Sequence, residues 1–131
     1  MDEKERLNKI TGDIIGAAIE VHRALGPGLL ESAYGTCLNY EIEKRNYRVV
    51  SQKPIPLVYK EIRIDNAYRI DSFVEDSVIV EIKSVEKLAP IHEAQLMSYL
   101  KLTNCKVGLL INFNVVVLKN GIKRIVNNFP D

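Results

Sequence analysis

Asp71 and Glu81 stand ten positions apart, and Lys83 follows Glu81 by two. They fall in two apolar, β-branched runs, Arg69 to Val74 and Val78 to Lys83, joined by Glu75-Asp76-Ser77. Such runs read as strands, and a short polar joint makes a hairpin of them. With Val74 opposite Val78, counting back puts Asp71 opposite Glu81 and Arg69 opposite Lys83. Side chains alternate between faces, so Glu81 and Lys83 share one face and Asp71 joins them as a cross-strand neighbour. A one-residue slip would break this pairing. Two opposed carboxylates repel, so something positive belongs between them: Lys83, Arg69 or a metal ion. Mg²⁺ prefers one or two carboxylates together with water and phosphate oxygens. A lysine beside such a site can stabilise developing negative charge or help activate a water. The plain alternative is a solvated salt-bridge ladder of Asp71, Glu81, Lys83 and Arg69. Against the ladder, Val78-Ile79-Val80 and Ile82 read as an interior strand, where a charge must be paired or metal-bound.

Other residues could join this centre. Glu31 lies three before Tyr34 and seven before Leu38, on or beside the buried stripe of a helix. It either complements the positive end of that helix or supplies a third carboxylate aimed at a metal. Tyr34 reads as a packing tyrosine whose hydroxyl bonds a site carboxylate. His92, Gln95 and Tyr99 recur at i, i+3 and i+7, one face of a later helix, which by itself is a polar, partly exposed face. His22, near the end of the first helix, complements its negative end and is not taken as a ligand.

The elements that must position these groups follow from periodicity. Leu7, Ile10, Ile14, Ala17, Val21 and Leu25 form one helical stripe that stops at Gly26-Pro27-Gly28. A second helix carries Leu30, Tyr34, Cys37, Leu38, Glu41 and Ile42 and runs out near Lys44-Arg45-Asn46. Tyr47 to Tyr59 is extended, and Pro54 and Pro56 mark it as an edge strand or an irregular connection. After the central hairpin, Pro90 opens a third helix running to about Leu102. Val107 to Phe113 is nearly all apolar, as a central strand covered on both faces would be. Asn120-Gly121 predicts a terminal hairpin pairing Val115 to Leu118 with Ile122 to Val126. The order is α-α-β-β-β-α-β-β-β, an α/β chain with a mixed sheet, and residues 1–131 contain no repeat or linker, so one domain is expected.

The 131 residues are 47% hydrophobic and 27% charged, an ordinary globular composition rather than a disordered one. Cys37 and Cys105 have no metal-like spacing and read as free thiols of a reducing compartment. No apolar run spans a bilayer, and the charged Met1-Asp2-Glu3-Lys4-Glu5-Arg6 start is not that of a secretory signal, so a cytoplasmic protein is expected. The net charge of +1 argues against coating nucleic acid non-specifically, but not against an enzyme touching a few phosphates.

Asp71 followed by Glu81-Ile82-Lys83 resembles the D…ExK core of the PD-(D/E)XK nuclease superfamily, and Gly28-Leu29-Leu30-Glu31-Ser32-Ala33-Tyr34 resembles the pattern that names its GxxExxY family. The likeness extends in order through Val21-His22, Leu25 to Gly28, Arg69-Ile70-Asp71, Val80 to Lys83, Gln95 with Tyr99-Leu100, and Gly108 to Phe113. Ile70 stands where the superfamily name has proline. The resemblance implies a restriction-endonuclease-like α-β-β-β-α-β core, with a mixed central sheet flanked by helices. It implies Mg²⁺- or Mn²⁺-dependent phosphodiester hydrolysis. Asp71 and Glu81 would ligate the metal, with the Ile82 carbonyl as a further ligand and Glu31 as a third carboxylate. Lys83 would orient or activate the attacking water, Gln95 would position a phosphate or that water, and Tyr99 would support Gln95.

Two functions are weighed. The first is a nuclease acting on DNA or RNA, favoured by the complete set Glu31, Asp71, Glu81 and Lys83. The second is a catalytically silent nucleic-acid- or protein-binding module, favoured by the near-neutral charge. A homodimer or a partner protein would compensate for the short chain. No glycine-rich nucleotide loop, Ser-His-Asp signature or zinc-spaced set supports another chemistry.

Overall fold

A computed structural model describes all of residues 1–131. Two helices come first, α1 (Glu3–Leu25) and α2 (Glu31–Lys44). Asp2 caps α1, its carboxylate accepting the Glu5 N–H at 2.8 Å. Gly26 ends it at φ 69°, and Gly28 follows at φ 101°, both in the left-handed region that favours glycine. The chain then forms β1 (Val49–Tyr59), β2 (Ile62–Val74), β3 (Val78–Lys83), α3 (Pro90–Thr103), β4 (Val107–Asn112) and β5 (Ile122–Val126).

The five strands form one sheet in the order β1-β2-β3-β4-β5. β3 and β4 are parallel, while the other neighbours are antiparallel. The parallel pair requires a crossover, and α3 supplies it. Val78, Val80 and Ile82 of β3 face a core built with α1 and α2, whereas Ile79 faces a second core with Leu96, Tyr99 and Leu100 of α3. Every residue of β4 is buried, as its apolar run from Val107 to Ile111 requires. Both cysteines are free.

Two elements differ from the sequence reading, while β1 keeps to it. β2 begins at Ile62, seven residues before the predicted strand, and pairs with β1 as a long hairpin arm turning at Lys60-Glu61. Its first residues are exposed on both faces, so they carry no alternating hydrophobic signal. Pro56 sits where the β1–β2 register shifts, and β1 is an edge strand, as its prolines demand. Finally, Val115 to Leu118 forms no hairpin strand; a short 3-10 helix, Leu118–Gly121, leads into β5, which pairs with β4 instead. Leu118 is buried in the core, and a Cβ on Gly121 would lie 2.2 Å from the Asn112 carbonyl oxygen. That glycine serves close backbone approach, not a hairpin turn.

Candidate metal centre

β2 and β3 pair at Val74–Val78, Phe73–Ile79 and Ser72–Val80, and the backbone ladder ends there. The next pair in this register is Asp71 and Glu81, as counted from the sequence. Here side chains replace the ladder. The Asp71 N–H donates to Glu81 Oε2 at 2.9 Å, and the Ile82 N–H donates to Asp71 Oδ2 at 2.8 Å. Each carboxylate therefore holds the other strand's backbone where the strands part.

Strict alternation puts Asp71 on the face of Glu81 and Lys83. The structure departs from it: Ile70 and Phe73, on either side of Asp71-Ser72, both pack against α3. Asp71 instead lines a cleft of about 510 Å³ beneath α2, together with Glu31, Asn39, Gln52 and Ile82. Gln52, between the β1 residues that pair with Ser72 and Ile70, has φ 54° and donates weakly to Asp71 Oδ1 at 3.4 Å. Glu81 follows Ile79 on the α3 side. The two acids thus meet through the opening between the strands rather than on one flat face.

α2 packs against this point at Gly35, where a Cβ would sit 3.4 Å from Ile82 Cδ1, an ordinary contact. One turn earlier, Glu31 accepts the Ser84 N–H at 3.1 Å, while Ser84 Oγ donates to the Leu29 carbonyl at 2.7 Å. Glu31 shares the Asp71 cleft and its charge acts on both site acids. No group of three or more acidic, histidine or cysteine side chains is gathered tightly enough to enclose an ion, so the three-carboxylate ligand set is not assembled. Glu31 is instead turned toward the chain following β3, where it accepts the Ser84 N–H.

The electrostatics mark this as more than a surface cluster. Glu81 is 5% exposed. Burial first, and then the Asp71 charge, push its carboxyl up to about 8, against the Asp71 N–H bond and the Lys83 charge. Burial also raises Asp71, opposed chiefly by the Ile82 N–H. No ion pair of the structure includes Asp71, Glu81, Lys83 or Arg69, so the salt-bridge ladder does not form. Arg69 pairs with Pro54 on β1, and its guanidinium donates to the Gln52 carbonyl at 3.4 Å. An all-oxygen donor set of two carboxylates, each keeping lone pairs beyond its backbone bond, fits a hard divalent cation.

Tyr34 does not bond a site carboxylate. Its hydroxyl donates to the Gly26 carbonyl at 2.5 Å and accepts the Leu29 N–H at 3.1 Å, and its ring stacks on Phe113 at 4.5 Å. It ties down the glycine loop that sets the start of α2. His22 Nε2 lies 2.7 Å from the Val115 carbonyl. His92 Nδ1 accepts the Ala89 N–H at 3.0 Å at the start of α3. Gln95 and Tyr99 line a different groove, on the α3 side. Asn112 went unremarked from sequence. It is buried, its Oδ1 accepting the Val85 N–H at 3.1 Å and its Nδ2 donating to the Val85 carbonyl at 2.9 Å. It anchors the chain just after Lys83, and a lone polar residue inside an apolar strand was the available signal.

Fold and site together define a mixed α/β scaffold with an acidic centre at the open end of its central hairpin. Residues 8–125 match the PD-(D/E)XK nuclease superfamily, and the chain belongs to it, its five-stranded mixed sheet and flanking helices forming a restriction-endonuclease-like fold. No curated protein sequence and no solved structure matches the chain. No helix is long and apolar enough to cross a membrane.

Proposed function

We propose that this chain is a divalent-metal-dependent nuclease that hydrolyses phosphodiester bonds of DNA or RNA, a single catalytic domain of the GxxExxY kind. The observation that carries the reading is the interlocked pair Asp71 and Glu81, the first half-buried and the second buried, outside every ion pair, with Glu81 driven up to about 8. Such a pair is poised to exchange the Glu81 proton for a cation. Asp71, Glu81 and the Ile82 carbonyl would hold Mg²⁺ or Mn²⁺. When bound, the ion would polarise the scissile phosphate and acidify a water.

The chain's own groups do the rest. The Asp71 and Ile82 N–H bonds fix both carboxylates, so little reorganisation remains at the moment of reaction. Lys83, half-buried and outside every ion pair, offers its ammonium to the attacking water or to charge developing on phosphate oxygen. Glu31 positions Ser84 and, through it, the chain just past Lys83. A cleavage assay on mixed single- and double-stranded DNA and RNA tests the reading. Metal-dependent products from the wild type, lost in Asp71→Asn, Glu81→Gln and Lys83→Ala, are expected. Absence of products from every substrate, or activity surviving these substitutions, overturns it.

A further inference from the structure

On the α3 side of the sheet, a groove of about 520 Å³ runs between α3 and the β1–β2 arm. Its volume lies within the ~300–1,000 Å³ of small-ligand sites. Leu57 and Tyr68 line it from the arm, and Ile91, Gln95 and Tyr99 from α3. Tyr68 is 42% exposed and its ring meets that of Tyr99 at 5.6 Å, so one aromatic face is open to a ligand. The helix's side-chain hydrogen bonds belong to His92 and Thr103, which leaves the half-buried Gln95 amide without a protein partner in a mostly apolar lining. Tyr99 also feels the site: burial first, then the Glu81 charge, push its hydroxyl up to about 12. Tyr99 also packs in one core with Ile70, the neighbour of Asp71, and with Ile79 of β3, so the groove lies against the strands that carry the carboxylate pair.

The charges select the occupant. Lys101 is the one charged residue of the lining. Lys53 lies on the same side, 5.6 Å above the Phe73 ring. Lys83 follows Glu81 to that face by alternation. A ligand with a flat aromatic surface, a hydrogen-bonding edge and an anionic tail satisfies all three features. A second copy docking through an apolar face would leave Gln95 and Lys101 without partners.

We propose that this groove is a nucleobase pocket: it stacks one unpaired base on Tyr68, reads its edge with the Gln95 amide, and so directs the site to single-stranded or unpaired nucleic acid. The inference rests on the nuclease reading and names its substrate class. Bases buried in an intact duplex cannot enter such a pocket without being unstacked and turned out, whereas stacking on an aromatic side chain is the usual means of holding single strands.

The chain contains no tryptophan, so Tyr68→Trp supplies a unique reporter. Titration with single-stranded dT12 and rU12 in calcium, and with a matched twelve-base-pair duplex, reads base stacking directly as quenching. Fluorescence anisotropy of labelled strands compares wild type, Tyr68→Phe and Tyr68→Ala. Quenching by a single strand and not by duplex is expected. So is single-strand affinity that is kept in Tyr68→Phe and falls about five- to a hundredfold in Tyr68→Ala, the range for losing one base stack. The dT12 and rU12 arms distinguish DNA from RNA. Equal duplex affinity, or Tyr68→Ala binding like wild type, overturns the pocket even if metal-dependent cleavage persists. So does a Tyr68→Ala effect confined to sedimentation, which would mark a second copy as the occupant. Loss of metal binding at Asp71 and Glu81, measured without nucleic acid, belongs to the nuclease reading alone.

Discussion

Replacing Glu81 by glutamine should change how the metal-free protein responds to pH. In the fold the Glu81 carboxyl rises from 4.5 to about 8. At ~1.4 kcal/mol per unit, ionising it costs the folded chain about 5 kcal/mol more than the unfolded one. The folded state thus binds the proton more tightly. Stability is fully present below pH 4.5 and is lost as pH rises through about 8, the reverse of a salt-bridged acid. A domain's whole stability is of order 5–15 kcal/mol, so the loss is large. Glutamine keeps an oxygen to accept the Asp71 N–H and carries no charge. Urea unfolding in EDTA should give similar curves for wild type and Glu81→Gln near pH 5. Near pH 9 the variant should be more stable by several kcal/mol, and Mg²⁺ should restore much of the wild-type loss. Parallel pH profiles for the two proteins would refute the reasoning, because they would mean that Glu81 ionises without penalty.

Tyr34→Phe removes a hydroxyl that joins the Gly26 carbonyl to the Leu29 N–H; stability should fall by about 1–3 kcal/mol while metal affinity stays near wild type, read by thermal melts and calorimetry. Asn112→Ala leaves the Val85 N–H and carbonyl without their anchor, so proteolysis between Ser84 and Ala89 should accelerate and stability drop by about 2 kcal/mol. Glu31→Gln retains an acceptor for the Ser84 N–H and should preserve cleavage better than Glu31→Ala, a ranking that separates positioning from charge.

Much of this molecule is legible in its residues, for reasons that differ by element. The central hairpin was countable because Val74 and Val78 flank a short polar turn, and the observed ladder runs to Ser72 and Val80, one step short of Asp71 and Glu81. The end of α1 was written in Gly26, whose positive φ stops the helix. What alternation could not foresee is the turn of Asp71 toward α2, since a local irregularity leaves no hydrophobic trace. The arm from Ile62 to Tyr68 was invisible for a related reason: it is packed on neither side over most of its length. Asn120-Gly121 misled because a glycine can be demanded by crowding as well as by a turn, and here the Asn112 carbonyl crowds it. Tyr34 lay on the expected buried face, but its hydroxyl partner is set by where the Gly26 loop folds back, which is a tertiary matter.

The most direct test of the central claim is a calorimetric titration of Mn²⁺ and Mg²⁺ into the protein at pH 7, in two buffers of different ionisation heat. With its carboxyl pushed up to about 8, Glu81 should hold its proton at this pH, and binding should release up to about one proton per ion. Asp71→Asn should abolish binding, and Glu81→Gln should abolish both binding and proton release. Absence of binding at millimolar metal, or binding that survives both substitutions, would contradict a metal centre at Asp71 and Glu81.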